Sequence, residues 1–255
     1  MTQLAIIGGS GLTSLPGLTI TGQEVYKTPY GEPSGVLTFG TYAGHELVFL
    51  PRHGNPHTIP PHKINYRANL WALRDNNIRK VIAINAVGGI TEEMYPGRLV
   101  IPDQIIDYTW GRGHTYYEDG LNHVTHINFT HPYSESLRRL LIEAGDSAEM
   151  QIYGAGSYGA TQGPRLETAA EIDRLLHDGC ELVGMTGMPE AALARELEVD
   201  YASCCVVANW AAGRSSENIT MQAIALTLES AMERVLQLLE NAIPMLEQDE
   251  PLRHS

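Results

Sequence analysis

The sequence predicts an α/β fold in which helices cover a buried sheet. Short apolar runs alternate with segments of helical periodicity, and the runs occupy residues 4–7, 46–51, 81–84, 181–183 and 201–207. Such runs are too short for helices and too continuous for half-exposed strands, so they predict strands buried on both faces. Each run ends in glycine, small or polar residues. Because ligands of open α/β sheets bind at the carboxyl ends of strands, we expect the functional site there.

Helices are predicted between and after these strands, at residues 62–75, 132–144, 167–178, 188–197 and about 218–242. The first carries Tyr66, Leu70 and Leu73 at helical spacing. The polar segment between Gly111 and Pro132 is rich in His and Tyr, so we expect it to cross over the site or to contact another subunit. No linker or repeat interrupts the chain. We therefore predict one domain over residues 1–246 and a flexible tail at 247–255.

Composition narrows the function. The chain has 255 residues, and 17 Lys and Arg against 30 Asp and Glu give a formal charge of −13. This charge disfavours binding to nucleic acid or to anionic membranes, so an anion would have to be bound locally by a few arginines, N–H groups and helix ends. No apolar run of about 18 residues predicts a membrane span. The N-terminus is predicted to be the first strand and not a signal peptide, which predicts a cytoplasmic protein. Cys180, Cys204 and Cys205 suit neither a disulfide framework nor a thiolate metal site.

The first two strand ends offer anion-binding chemistry. The turn Gly8-Gly9-Ser10-Gly11 can direct backbone N–H groups at a phosphate or ribose, although a tight turn alone would also explain it. The third glycine of a dinucleotide fingerprint is missing. Arg52 and His53 suit phosphate as a forked cation and a second donor, with a solvated loop as the alternative. A metal site built from His53, His57 and His62, or from His123 and His126, is not favoured because no acidic ligands accompany them.

Two later segments carry less specific signals. Within Thr161–Thr168, Glu167 is either a functional carboxylate or a charged residue in the first turn of a helix. The segment Met185–Glu190 is a strand-to-helix turn with Pro189 near the helix start. No G-x-S-x-G elbow or P-loop occurs, which disfavours a serine hydrolase and a nucleotide kinase.

Seven segments taken together resemble the trimeric purine nucleoside phosphorylase family, and more closely its methylthioadenosine phosphorylase branch. They are IIGGSGL, PRHGNPH with INYRANLWALR, NAVGG, PGRLVIPDQIIDYT, GPRLETAAEI, GMTGMPEAALARE and YASCCVVANW, in the family's order over about residues 4–245. The resemblance implies a single α/β domain whose mixed, partly barrel-like sheet is flanked by helices. It also implies a homotrimer that cleaves purine nucleosides with inorganic phosphate as co-substrate, without metal or organic cofactor.

The resemblance also implies residue roles. Phosphate binding falls to Ser10, Arg52, His53, Ala86 and Thr186, and catalysis to Asn209, Arg52 and His53. Asn85 stands where the branch usually has Thr. The ribose and base are contacted by Met185, Leu166, Glu167 and Asn209, with Leu166 replacing the usual aromatic residue. His126 is expected to reach the 5′ substituent across a subunit interface, and His57 to line the site.

Departures from the branch indicate the substrate. Asn209 and Ala211 replace two aspartates of the adenine-specific branch, and Glu167 matches the 6-oxopurine enzymes. An Asn can both accept and donate, and a carboxylate can accept from the N1–H of a 6-oxopurine. Met221 and Ile224 are expected to form an apolar pocket for a methylthio group, with plain helix core as the alternative. These features predict phosphorolysis of 5′-methylthioinosine. The alternatives are an inosine or guanosine phosphorylase, a methylthioadenosine phosphorylase, and a non-catalytic nucleoside binder.

Overall fold

A computed structural model describes residues 3–216 and 218–248, and a single sheet of eleven strands runs through it. The strands are β1 (Leu4–Gly8), β2 (Thr19–Glu24), β3 (Leu37–Tyr42), β4 (His45–Pro51), β5 (Lys80–Gly89), β6 (Leu99–Val100), β7 (Gln104–Asp107), β8 (Ile152–Tyr153), β9 (Ser157–Ala160), β10 (Leu182–Gly184) and β11 (Asp200–Trp210). The helices are α1 (Tyr66–Asp75), α2 (Glu135–Ser147), α3 (Ala169–His177), α4 (Gly187–Glu196) and α5 (Met221–Gln248). The predicted α/β class with a mixed sheet is confirmed.

The long strand β5 organises the sheet. On one side it pairs in parallel with β11 along its whole length. On the other side β1 runs parallel to its first half, and β10 runs antiparallel to its end at Gly88 and Gly89. Beyond β1 the sheet continues through β4 and β3 to β2. Beyond β10 it continues through β9 to β7, and beyond β11 it continues through β6 to β8. The ends of β1, β4, β10 and β11 therefore meet around the second half of β5.

Helices cover both faces of the central strands. The apolar residues that alternate along β1, β5 and β11 divide between two buried clusters. One cluster packs against α2 and α5, with Leu141, Val235 and Leu239 as fully buried members. The other packs against α1 and α4, with Leu70, Leu73 and Leu193 fully buried. Burial on both faces explains why these strands appear in the sequence as continuous apolar runs.

The predicted elements are confirmed with shifted boundaries. The helix expected from residue 62 begins at Tyr66, because Pro61–Lys63 form a 3₁₀ turn and the Asn65 side chain caps α1 by accepting from the Ala68 N–H. The strand expected at 201–207 continues to Trp210. The sequence did not predict β2, whose residues are mostly exposed, β3, or the short strands β6 to β9.

The flexible C-terminal tail stays a prediction. Helix α5 extends to Gln248, and most of the expected tail at 247–255 lies outside the described residues. No helix within residues 3–216 and 218–248 is long and apolar enough to cross a membrane.

Candidate active site

A cavity of about 260 Å³ lies where the predicted strand ends converge. Its walls come from the turn after β1, the residues after β4, the second half of β5, the turn after β10, the end of β11 and the start of α5. The residues that line it and were predicted from the sequence are Ser10, Arg52, His53, His57, Ala86, Leu166, Glu167, Met185, Thr186, Asn209, Met221 and Ile224. One cavity thus collects residues from almost the whole length of the chain.

The glycine turn after β1 forms one end of the cavity. A Cβ atom on Gly9 would lie 2.4 Å from the Ile84 carbonyl oxygen and 2.8 Å from Arg52 Nη1. Only glycine therefore allows the turn to approach β5 and the guanidinium this closely. Ser10 follows at the cavity wall, which Ala86 and Thr186 also line. The residues that the resemblance assigns to phosphate line this part of the cavity, which is called the anion end below.

Arg52 is fully buried behind this end. Its Nε and Nη2 donate to the two carboxylate oxygens of Glu190, each at 2.7 Å. Nη1 donates to the Ile84 carbonyl at 2.8 Å, and Nη2 also donates to Asn85 Oδ1 at 3.1 Å. Burial alone would lower the pKa of Arg52, but the charge and hydrogen bonds of Glu190 raise it above its usual value. The expectation that the guanidinium fork faces phosphate is wrong, because Glu190 occupies the fork.

His53 presents a neutral imidazole to the cavity. Its Nδ1 lies 2.8 Å from the Ile59 carbonyl oxygen, which can only accept, so Nδ1 carries the proton. Burial, and then the positive charge of Arg52, lower the pKa of His53 to about 4. At neutral pH the ring therefore offers an acceptor at Nε2, and the donor role expected from the sequence is corrected. The ring of His57 lies beside it, with 4.3 Å between centroids.

Asn85, which replaces a threonine of the related branch, lies one layer behind the wall. It is buried, accepts from Arg52 and donates from Nδ2 to Thr186 Oγ1 at 3.3 Å. Because β10 runs antiparallel to β5, the turn after β10 returns beside Asn85. Asn85 therefore joins Arg52 to Thr186.

Asn209 and Glu167 both line the cavity. A bulge in β11 between Val207 and Asn209 turns Asn209 toward the cavity. Its Nδ2 donates to the Trp210 carbonyl at 2.7 Å, which fixes the amide and leaves Oδ1 free to accept. The Thr161 hydroxyl donates to Glu167 Oε1 at 2.6 Å. Leu166 lies beside them with 42% of its surface exposed.

Helix α5 supplies an apolar third wall. Ile224 and Leu228 line the cavity, and Ile224 also packs against the core. Met221 lies at the rim and is 67% exposed, so it is not a core residue. Ala211, where the adenine-specific branch has a carboxylate, is buried in the wall near the Asn209 end.

Some relevant residues were not predicted, and one predicted residue lies elsewhere. His126 is exposed and does not line the cavity of its own chain. Glu190, Thr161 and Arg112 were missed as functional residues. Arg112 donates to the carbonyl oxygens of Met185 and Met188, each within 2.8 Å, and of Gln162 at 2.8 Å. It therefore links the segment before Leu166 to the turn that carries Met185. In the sequence, Arg112 was marked only by its position in the polar segment rich in His and Tyr.

No group of three His, Cys, Asp or Glu side chains in the described ranges is arranged to hold a metal ion. The three cysteines are free and buried within the fold. Burial raises the pKa of Cys205 to about 12, so this thiol stays protonated.

Comparisons with known proteins agree with this geometry. The sequence pattern of the Phosphorylase superfamily matches residues 3–244. A probable S-methyl-5'-thioinosine phosphorylase from Pseudomonas syringae pv. tomato is 53% identical over 92% of this chain and 96% of its own length. A 6-oxopurine nucleoside phosphorylase from Pyrococcus furiosus is 43% identical over 96% of this chain and 94% of its own. Methylthioadenosine phosphorylase from Schistosoma mansoni in complex with adenine superposes with a TM-score of 0.94 at 31% identity, covering 98% of this chain and 93% of that one.

Proposed function

The chain belongs to the phosphorylase superfamily, and on that premise we propose that it cleaves 5′-methylthioinosine with inorganic phosphate. The products are hypoxanthine and 5-methylthioribose 1-phosphate. One observation carries the proposal: Asn209 and Glu167 share a cavity with the apolar wall of α5. The first two residues suit a 6-oxopurine, and the wall suits a methylthio group. The names of the relatives from Pseudomonas and Pyrococcus support the same substrate class.

The base end favours a 6-oxopurine on hydrogen-bonding grounds. A carboxylate such as that of Glu167 accepts hydrogen bonds and does not donate them, and N1 of hypoxanthine carries a proton while N1 of adenine does not. Asn209 can accept from N7–H through Oδ1, because its amide is already fixed by the Trp210 carbonyl. Adenine would bring a lone pair at N1 against the Glu167 carboxylate. A charged acceptor left unpaired in this way costs more than the roughly 1–3 kcal/mol of a neutral one.

The reaction joins phosphate to C1′ while the bond from C1′ to N9 breaks. An oxygen of phosphate, held near Ser10 and Thr186, attacks C1′ on the face opposite the base. The electron pair of the broken bond leaves with the purine, which takes a proton from solvent at N7. The phosphate charge stabilises the positive charge that develops on the ribose, and Asn209 stabilises the departing base through N7–H. No step requires a metal or an organic cofactor.

The proposal includes a homotrimer in which His126 of one chain approaches the 5′ end of a neighbour's substrate. The exposure of His126, away from the cavity of its own chain, supports this arrangement. Light scattering after gel filtration measures the assembly. A monomer with full activity would refute it.

The decisive experiment is product analysis with purified protein, using methylthioinosine, inosine and methylthioadenosine, each with and without phosphate. We expect hypoxanthine from methylthioinosine only when phosphate is present, and at least tenfold lower kcat/KM for each of the other two nucleosides. Equal rates on inosine would make the protein a general 6-oxopurine phosphorylase. Faster release of adenine would make it a methylthioadenosine phosphorylase, and binding without release of base would make it a nucleoside-binding protein.

A further inference from the structure

We propose that Glu190 is a positioning residue that neutralises Arg52 and thereby leaves the charge of bound phosphate available to the reaction. The inference rests on the proposed phosphorolysis, and it concerns a carboxylate to which neither the sequence nor the family resemblance gave a role. Arg52 and Glu190 form the buried layer directly behind the anion end of the cavity.

Glu190 is fully buried, and three hydrogen bonds fix its carboxylate. Arg52 donates two of them at 2.7 Å, and the Tyr201 hydroxyl donates the third, to Oε1, at 2.8 Å. Tyr201 is itself buried and stacked on Tyr133, with 6.1 Å between ring centroids. The carboxylate is therefore held against the guanidinium from both sides.

The remaining bonds of Arg52 leave little for phosphate. A guanidinium has five N–H groups. Two are bound to Glu190, one to the Ile84 carbonyl and one to Asn85 Oδ1. The one left over belongs to Nη1, the atom that faces the backbone of Gly9 beside Ser10. Arg52 can therefore give phosphate at most one hydrogen bond, and it cannot act as a bidentate clamp.

The net charge behind the phosphate is consequently zero. Arg52 and Glu190 cancel, and His53 is neutral at pH 7 because burial and Arg52 lower its pKa to about 4. The other residues that line this end, Ser10, Ala86 and Thr186, offer only neutral donors. Phosphate is thus held by hydrogen bonds without a compensating positive charge.

This arrangement favours the transition state over the ground state. A full cation beside phosphate would strengthen binding before the reaction, but it would also compete with the ribose for the negative charge of the phosphate. Interactions that stabilise both states equally lower KM without raising kcat. A neutral site leaves the dianion to stabilise the positive charge on C1′.

The test is Glu190→Gln, which keeps the shape of the side chain and removes its charge. We expect the phosphate Kd, obtained from the rise of Tm with phosphate concentration, to fall at least tenfold. KM for phosphate should fall with it, and kcat should fall at least tenfold. KM for methylthioinosine should change less than twofold. A merely structural role would instead weaken phosphate binding together with activity.

Two further variants act as controls. Glu196→Gln makes the same charge change on the same helix. The Glu196 carboxylate lies outside the cavity wall and accepts from the Thr115 hydroxyl and the Tyr116 N–H. The phosphate titration of this variant should therefore match that of the unmodified protein. Glu190→Asp keeps the charge, so it should not tighten phosphate binding even where kcat falls.

The experiment remains decisive if Glu190→Gln unfolds. The unpaired guanidinium would then need phosphate as its counter-ion, so 100 mM phosphate should restore the folded circular dichroism spectrum of Glu190→Gln. Unchanged or weaker phosphate binding by a folded variant, or an unfolded variant that phosphate does not restore, would overturn the proposal. The titration needs no nucleoside. A failure of phosphate to bind the unmodified protein would instead refute phosphorolysis itself.

Discussion

The contact between Thr161 and Glu167 offers a sharp test of the base-binding chemistry. The Thr161 hydroxyl donates to Glu167 Oε1 at 2.6 Å, and Thr161→Val removes that donor while keeping the size of the side chain. Hydrogen bonds to charged groups contribute about 1.5–3 kcal/mol. The carboxylate of the variant can still rotate toward the N1–H of the substrate, so we expect the lower end of that range. This corresponds to roughly a tenfold loss of kcat/KM with methylthioinosine, because 1.4 kcal/mol is a factor of ten.

The assay compares methylthioinosine with methylthioadenosine in phosphate-saturated rate measurements. Adenine has no N1–H that could donate a hydrogen bond to Glu167. The Thr161→Val change should therefore alter kcat/KM for methylthioadenosine less than twofold. If that rate is too slow to measure, inhibition constants of hypoxanthine and adenine give the same comparison. Thr28→Val is the matched control, since its hydroxyl donates to the Gly31 carbonyl in a turn remote from the cavity.

A double-mutant cycle decides whether Thr161 acts through Glu167. In a Glu167→Gln background, Thr161→Val should cost less than about twofold, because the charged acceptor has gone. Two outcomes would refute the reasoning. One is an equal loss on both nucleosides, which would mean a general disturbance of the site. The other is additivity in the cycle, which would mean that Thr161 and Glu167 act independently.

The remaining predictions concern the base, the 5′ end and pH. Asn209→Asp should lower kcat/KM for methylthioinosine at least tenfold, which corresponds to about 1.4 kcal/mol. The reason is that a carboxylate would face the Trp210 carbonyl, to which Nδ2 of Asn209 donates. An unchanged kcat/KM would contradict the role of Asn209. Ile224→Thr should lower the preference for methylthioinosine over inosine by about tenfold, while the exposed Leu226→Thr on the same helix should leave the ratio of their kcat/KM values unchanged. The pKa of His53 in the folded protein is lowered to about 4 from its ordinary value of 6.5. As pH falls, His53 is therefore protonated in the unfolded chain before it is protonated in the folded one. The free energy of unfolding should drop by about 3 kcal/mol as pH falls from 6.5 to 4. His53→Gln should flatten that slope in urea titrations, and an unaltered slope would exclude His53 as its source.

The sequence predicted the parts of the site that depend on neighbours in the chain. The glycines after β1 lie beside the strand they follow, so the need for close approach at Gly9 could be inferred from the local pattern. The same holds for Arg52 and Asn209, because each follows or ends an apolar run. Strands buried on both faces were found for the same reason, whereas the largely exposed β2 carries no such pattern.

What the sequence did not predict depends on partners that are distant in the chain. Glu190 looks like an ordinary acidic residue in the first turn of a helix, and its partner Arg52 lies 138 positions away. The phosphate role of Arg52 could therefore be expected, but not the loss of its fork to a carboxylate. The donor role first given to His53 was wrong for a similar reason, since the Ile59 carbonyl and the burial that fix its tautomer belong to the folded loop.

The two ends of the proposed substrate are recognised with unequal strength. At the base, Thr161 holds the Glu167 carboxylate, so a 6-aminopurine, which has no N1–H, leaves that carboxylate without a partner. At the 5′ end, α5 contributes only apolar contacts. A missing hydrogen bond in such a site rejects an analogue by a factor of about 10⁴, while an apolar pocket discriminates by only about 10–200-fold. Selection against the 6-amino group should therefore exceed selection against the 5′-hydroxyl. A scaffold of this kind can change between methylthioinosine and inosine through the start of α5 alone, while a change to adenine requires rebuilding the end of β11 and the segment around Glu167.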